Sequence, residues 1–312
     1  MSVSSAVRRK GFFSRLSLNY RQNPYIYWMT LPVVLYYLLF HYLPMFGIII
    51  SFQNFRPARG VFGSQWVGMQ NFQDFFKSPF APRLIRNTIL INIYSILWGF
   101  PAPIILALLL NEVRAGAYKR VIQTVSYMPH FISLVVICGM LKEFSLMDGL
   151  FNDIRDFMGM ERIGFLSEAR MFHSIYIASG IWQQIGWGSI IYLATLAGAD
   201  PNLYEAAVID GANRFQRMIH VTFPVLVPLI VMQFILRMGQ MMNVGSEKII
   251  LLYTPLTYET GDVISSYVYR RGLQEAKYSI GSAIGLFNSI INMCLVVGTN
   301  ALSRKVLNES LW

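Results

Sequence analysis

Residues 203–228 read LYEAAVIDGANRFQRMIHVTFPVLVP, a polar, charged and helix-forming patch set between two long apolar segments. Asp200 and Pro201 come just before it. An Asp side chain accepts backbone N–H bonds as an N-cap, and a proline at the first helical position gives up no needed donor, so a short helix is predicted to start there. Leu203, Ala206 and Ala207 line one face by 3–4 spacing, and the small alanines allow close approach to another surface. Gly211 can take a positive φ and turn the chain. Arg214 and Arg217 then face cytoplasm or headgroups, and Pro224 falls in the early turns of the next apolar segment, where a missing N–H costs little. A patch of this kind reads as a docking element.

Of the 312 residues, 54% are hydrophobic and 13% charged, with a mean hydropathy of +0.45. That leaves too little polar surface to cover a soluble globule, so the chain reads as an integral membrane protein. A spanning helix takes about 20 mostly apolar residues. Six segments qualify: Tyr25–Phe52, Leu84–Leu110, Lys119–Leu141, Met171–Gly198, His220–Met242 and Tyr278–Ser303. The expected architecture is an all-α polytopic membrane protein of six transmembrane helices, with a short helix between spans four and five. Residues 1–24 make a basic tail, 25–303 the membrane domain with its loop at 199–219, and 304–312 a second tail.

Arg8, Arg9, Lys10, Arg15 and Arg21, then Arg114, Lys119 and Arg120, then Arg214 and Arg217, then Arg304 and Lys305 all fall on one side of such a bundle. The positive-inside rule makes that side the cytoplasm, with both termini inside. The basic start reads as a retained tail, because the apolar run after it is too long for a signal peptide and lacks a small-residue cleavage site. The net charge of +10 is scattered through loops without a nucleic-acid module, which points to topology and lipid headgroups and away from nucleic acid. Cys138 and Cys294 read as small hydrophobes. On the outer side, the aromatics of Gln53–Arg83 suit the membrane interface, and Gly149–Met158 suits a short amphipathic helix.

The cores of the six segments hold no Asp or Glu, which a proton-coupled carrier places there, and no inverted repeat is visible. His41, His130, His173 and His220 lack metal-ligand spacing, and no nucleophile and base are paired for catalysis. No Lys follows a Gly, so the phosphate-binding loop of an ATPase is absent. Any ATP would be used by another chain.

Glu205, Ala206 and Ala207, with Gly211 six residues after the Glu and Val221, Thr222, Phe223 and Pro224 closing the stretch, resemble the EAA loop of ABC-importer permeases. The family usually has Ile and Leu at Val221 and Phe223. Arg86-Asn87-Thr88, Pro103 with Ala107, Leu108, Asn111 and Glu112, and WVGMQNF at Trp66 to Phe72 extend the likeness to carbohydrate importers from about Tyr25 onward. The branch is similar to the LplB-like permeases for complex oligosaccharides of Gram-positive bacteria. The resemblance implies the type I importer permease fold. It implies that Leu203, Tyr204, Glu205, Ala206, Ala207, Asp210, Gly211 and Ala212 seat in a groove of a separate, dimeric cytoplasmic ATPase. That ATPase would bind ATP and Mg, and this chain no cofactor. It further implies a second, related but distinct permease, an extracellular sugar-binding lipoprotein and a place in the cell membrane. The competing reading is an ion-coupled secondary transporter of small polar solutes.

Sugars present hydroxyls to polar groups and C–H faces to aromatic rings, so a path for them mixes amides, cations and aromatics within apolar spans. Candidates are Asn92, Tyr94 and Trp98 in the second span, and Trp182, Gln183, Gln184 and Trp187 in the fourth. Gln233, Arg237 and Gln240 share a face of the fifth, as Asn288 and Asn292 do of the sixth. The amides suit interhelical hydrogen bonds as well. Arg237 is the sharpest candidate, because a charge within a span is costly and tied by default to function. It would read a carboxylate on an acidic oligosaccharide, or else snorkel or pair with a partner subunit.

Overall fold

The computed structural model describes residues 20, 22–114, 116–307 and 310–312. Arg8, Arg9, Lys10, Arg15 and Arg21 of the basic tail lie outside the described residues. The helices that position the site are α1 (Pro24–Phe52), α2 (Ala81–Glu112), α3 (Ala117–Phe131), α4 (Leu134–Phe144), α5 (Leu150–Phe157), α6 (Phe172–Ala197), α7 (Pro201–Ile209), α8 (Arg214–Met238), α9 (Ser246–Leu252) and α10 (Tyr278–Leu307). By length and composition α1, α2, α8 and α10 can each cross a membrane, and α3 with α4 can make a fifth crossing. With 26 residues, α6 is about 39 Å long at 1.5 Å per residue, enough for a sixth. It is not among the helices apolar enough by composition alone, and one of its faces lines a cavity.

Prolines shape three of the spans. The turns Leu38–Tyr42, Ser95–Gly99 and Met218–Thr222 open to wider, i to i+5 bonding just before Pro44, Pro101 and Pro224. A proline in a helix lacks an N–H, and its ring collides with the carbonyl four residues back, here that of Phe40, Leu97 or His220. The wider turn moves that carbonyl aside. The residue ahead of each proline then donates five residues back: Leu43 to Leu38, Phe100 to Ser95 and Phe223 to Met218.

The third expected span, Lys119–Leu141, is not one helix. Pro129 enters a 3-10 turn at Met128–Phe131, Ile132 is extended (φ −78, ψ 132), and α3 meets α4 at 98°. Hydropathy does not register such a break, which depends on local backbone geometry.

Close contacts hold α6 at the centre. A Cβ on Gly186 would overlap the Ser126 carbonyl of α3, and one on Gly188 would sit 3.1 Å from Pro103 of α2. Small residues of this kind let helix backbones approach within a bilayer. Near the Asp200 loop, Ile104, Ala107, Tyr192, Leu196 and Leu226 join α2, α6 and α8 in one buried cluster. At the distal end, Ile91, Cys138, Phe172, Ile177, Ile249 and Leu252 join α2, α4, α6 and α9. By contrast, the most apolar stretch of α1 buries nothing.

The distal end is capped by loops. β1 (Gln53–Asn54) pairs antiparallel with β2 (Gln65–Trp66), and the Asn71 side chain donates to the carbonyls of Ser51 and Gln53. The fully buried Asp262 draws Arg83 and Arg270 together and so ties the loop after α9 to the start of α2. α5 exposes Leu150, Ile154 and Phe157 while burying Asn152, an amphipathic helix as the spacing of Gly149–Met158 predicts.

Candidate functional site

The loop between α6 and α8 is built by caps. Asp200 accepts from the backbone N–H of Asn202 at 3.0 Å, and Pro201 opens α7. At the other end Gly211, with φ +78, lets its own N–H reach the Val208 carbonyl (3.0 Å) and the N–H of Ala212 reach the Ala207 carbonyl (2.9 Å). This pair of bonds is the Schellman ending of a helix, which places a left-handed residue directly after the cap. The Gly six residues after Glu205 is therefore dictated by the length of α7. Asn213 and Gln216 then exchange reciprocal bonds that start α8.

Tyr204, Ala207 and Ala212 are half-buried, whereas Leu203, Glu205, Ala206, Asp210 and Gly211 are exposed. Ile209 is 85% exposed and Phe215 64%. Large apolar side chains left exposed on a polar loop suit an interaction surface.

Between α2, α6, α8 and α9 lies a cavity of about 630 Å³, within the ~300–1,000 Å³ range of small-ligand sites. Tyr176, Gly180, Gln183, Gln184 and Gly188 give it one face of α6, Gln233 and Arg237 one face of α8, and Gln240, expected on that same face, joins from the turn beyond the end of α8 at Met238. The widened turn of α2 contributes Ser95 and Gly99, followed by Phe100 and Pro103. No Asp or Glu lines this space, and Arg237 has no hydrogen-bond or ion-pair partner among the described residues. From α9, outside the spans, Lys248 reaches in. Its Nζ donates to the Tyr176 carbonyl at 2.9 Å and sits 4.7 Å from the centre of the Tyr176 ring. Burial pushes the pKa of this ammonium down to about 8, because a low-dielectric surrounding disfavours the charged form. The cavity thus offers four amides, two cations and two tyrosines.

Other polar candidates of the spans sit elsewhere. Asn92 donates to the Thr88 carbonyl of its own helix at 3.0 Å, and Asn292 accepts from the backbone of Met242 at 2.9 Å. Asn288 is buried, and its side-chain oxygen has no partner among the described residues. Tyr94 packs on His173, and Trp98 is 63% exposed. Trp182 faces a separate apolar cavity of about 480 Å³ between α4, α5 and α6. Trp187 stacks on His130 with centroids 4.4 Å apart, and His130 Nδ1 lies 3.0 Å from the Gln184 oxygen, so both support the cavity wall from behind. Among the described residues no three metal-ligating side chains come together.

Sequence reasoning passed over Lys248, Tyr176 and Tyr192. The one signal for Lys248 was a lysine leading the apolar run Ile249–Leu252.

The family model described as binding-protein-dependent transport system inner membrane component matches residues 99–308. Protein LplB of Bacillus subtilis is 41% identical over 293 residues, 94% of this chain and 92% of that one. The polygalacturonan/rhamnogalacturonan transport system permease protein YteP of the same organism is 38% identical over 312 residues, covering 100% of this chain and 97% of its own length. Among solved structures, a chain of a bacterial ABC transporter involved in import of the acidic polysaccharide alginate superposes with a TM-score of 0.87 at 40% identity, over 94% of this chain and 99% of that one. The apolar spans, the capped loop and these likenesses agree, and the chain belongs to the family of binding-protein-dependent transport system inner membrane components, the permease subunits of ABC importers.

Proposed function

We propose that this chain forms half of the path of an ATP-driven importer of acidic oligosaccharides. The capped loop from Leu203 to Ala212 docks on a separate dimeric ATPase that binds ATP and Mg. A related but distinct permease completes the path, and an extracellular sugar-binding lipoprotein delivers the cargo. Both termini lie in the cytoplasm of a Gram-positive cell.

The observation that carries the substrate class is the cavity, in which Arg237 lacks a partner among the described residues and no carboxylate offers it one. Glutamines and tyrosines around it suit hydroxyls and ring faces, and an arginine grips a carboxylate through two parallel bonds. The cargo named for the alginate transporter is of the same chemical class. An ion-coupled carrier finds no support here, since among the described residues no acidic side chain lines the cavity to carry a proton.

Arg237→Gln in the assembled importer should lower uptake of an oligogalacturonide about tenfold or more, the size of one charge-assisted hydrogen bond. Uptake of the methyl-esterified sugar should stay close to that of the unaltered protein. Equal effects on the two sugars would show that Arg237 does not read the carboxylate.

A further inference from the structure

Lys248 is only 7% exposed, yet it has no counter-charge among the described residues. An ammonium carries three N–H donors. One meets the Tyr176 carbonyl, the ring face of Tyr176 takes up part of the charge, and the other two have no acceptor among the described residues. Buried charges in proteins are ordinarily paired. This one lines the same cavity as Arg237 instead, and with a pKa of about 8 it keeps its charge at neutral pH.

Its place is fixed from both sides. Ile249 and Leu252 of the same short helix are fully buried against Phe172 and Ile177, so α9 cannot carry the side chain out into solvent. On the opposite wall Gly180 leaves room for the ammonium, since a Cβ there would already touch Nζ at 3.4 Å.

We propose that Lys248 is a second carboxylate-binding group of the transport cavity, so that the path favours saccharides bearing more than one acidic group. The inference rests on the reading of the cavity as a route for acidic sugar. A carboxylate arriving there supplies both the missing acceptor and the missing negative charge. A sugar hydroxyl supplies only the first. Arg237 on a span and Lys248 on a loop helix hold different acidic units of one oligomer, while Gln183 and Gln240 meet hydroxyls between them.

The test uses the complete importer in proteoliposomes, saturated with its binding protein and offered trigalacturonate or its trimethyl ester. Lys248→Met should lower the ratio of trigalacturonate uptake to ester uptake about tenfold or more relative to the unaltered protein. Lys248→Arg should keep the acid uptake. The binding protein is the same in every arm, so its own preference cancels. Should Lys248→Met fail to assemble, Lys248→Gln gives the same ratio. Equal losses for acid and ester, or no loss for either, overturn the proposal. If Arg237→Gln shifts the acid-to-ester ratio and the Lys248 variants do not, this inference alone fails. If neither residue shifts it, the underlying reading of the cavity fails as well.

Discussion

Gly211→Pro should bring both ATP-driven uptake and stimulation of the partner ATPase close to background. Proline fixes φ near −65° and has no N–H, whereas Gly211 sits at φ +78 and donates to the Val208 carbonyl. Keeping the native turn would cost about 3 kcal/mol or more, which is on the order of a hundredfold in the fraction of loops shaped for docking. Gly211→Ala is the graded control. Its Cβ would meet nothing within 4 Å, so only the left-handed backbone penalty of about 1–2 kcal/mol remains. Uptake by the Ala variant should lie between the unaltered protein and the Pro variant. Normal transport by Gly211→Pro would mean that this turn does not transmit the ATPase stroke.

Asp262→Ala should destabilise the chain by about 3–5 kcal/mol, the usual result of removing one partner from a buried ion pair. The carboxylate is fully buried and takes Arg270 at 2.8 Å, Arg83 at 3.5 Å and the Ser266 hydroxyl at 2.8 Å. Its removal leaves two partly buried guanidinium groups facing each other without the carboxylate that draws them together. The neighbouring Asn87 side chain donates to the backbone carbonyls of Glu259 and Asp262, bonds that the substitution leaves in place. Melting of the detergent-solubilised protein reads the effect. The double variant Asp262→Ala with Arg270→Met should recover part of the loss by removing one stranded charge. A melting temperature unchanged in Asp262→Ala would show that the distal cap is not held by this cluster.

The loop was legible because everything that shapes it is local. Asp200, Pro201 and Gly211 act within one or two turns of their own position, and the structure gives them the roles that their spacing predicts. The long helices were legible from hydropathy, except where Pro129 and Ile132 break the third segment. The cavity was only half legible. Gln183, Gln233, Arg237 and Gln240 line one wall or another of it, but Asn92 and Asn292, identical in kind to the eye, are spent on backbone groups. An amide in an apolar run says that a partner exists and not which one. Lys248 was missed for the opposite reason: a lysine in a loop reads as solvated, and its burial depends on the packing of α9 between α4 and α6.

These parts combine into a simple division of labour. The caps hold a stiff finger at one end of the bundle, the wide turns before Pro101 and Pro224 let the spans pass their prolines unbroken, and the cationic cavity lies between those same spans. The loop joins α6 to α8, the two helices that carry most of the polar wall.

The most direct measurement is uptake of labelled trigalacturonate into proteoliposomes holding this chain, its sister permease, the ATPase and the binding protein. The account predicts accumulation that requires enclosed ATP, survives ionophores and disappears when the ATPase is left out. Accumulation by this chain alone under an ion gradient, without ATP, would contradict it.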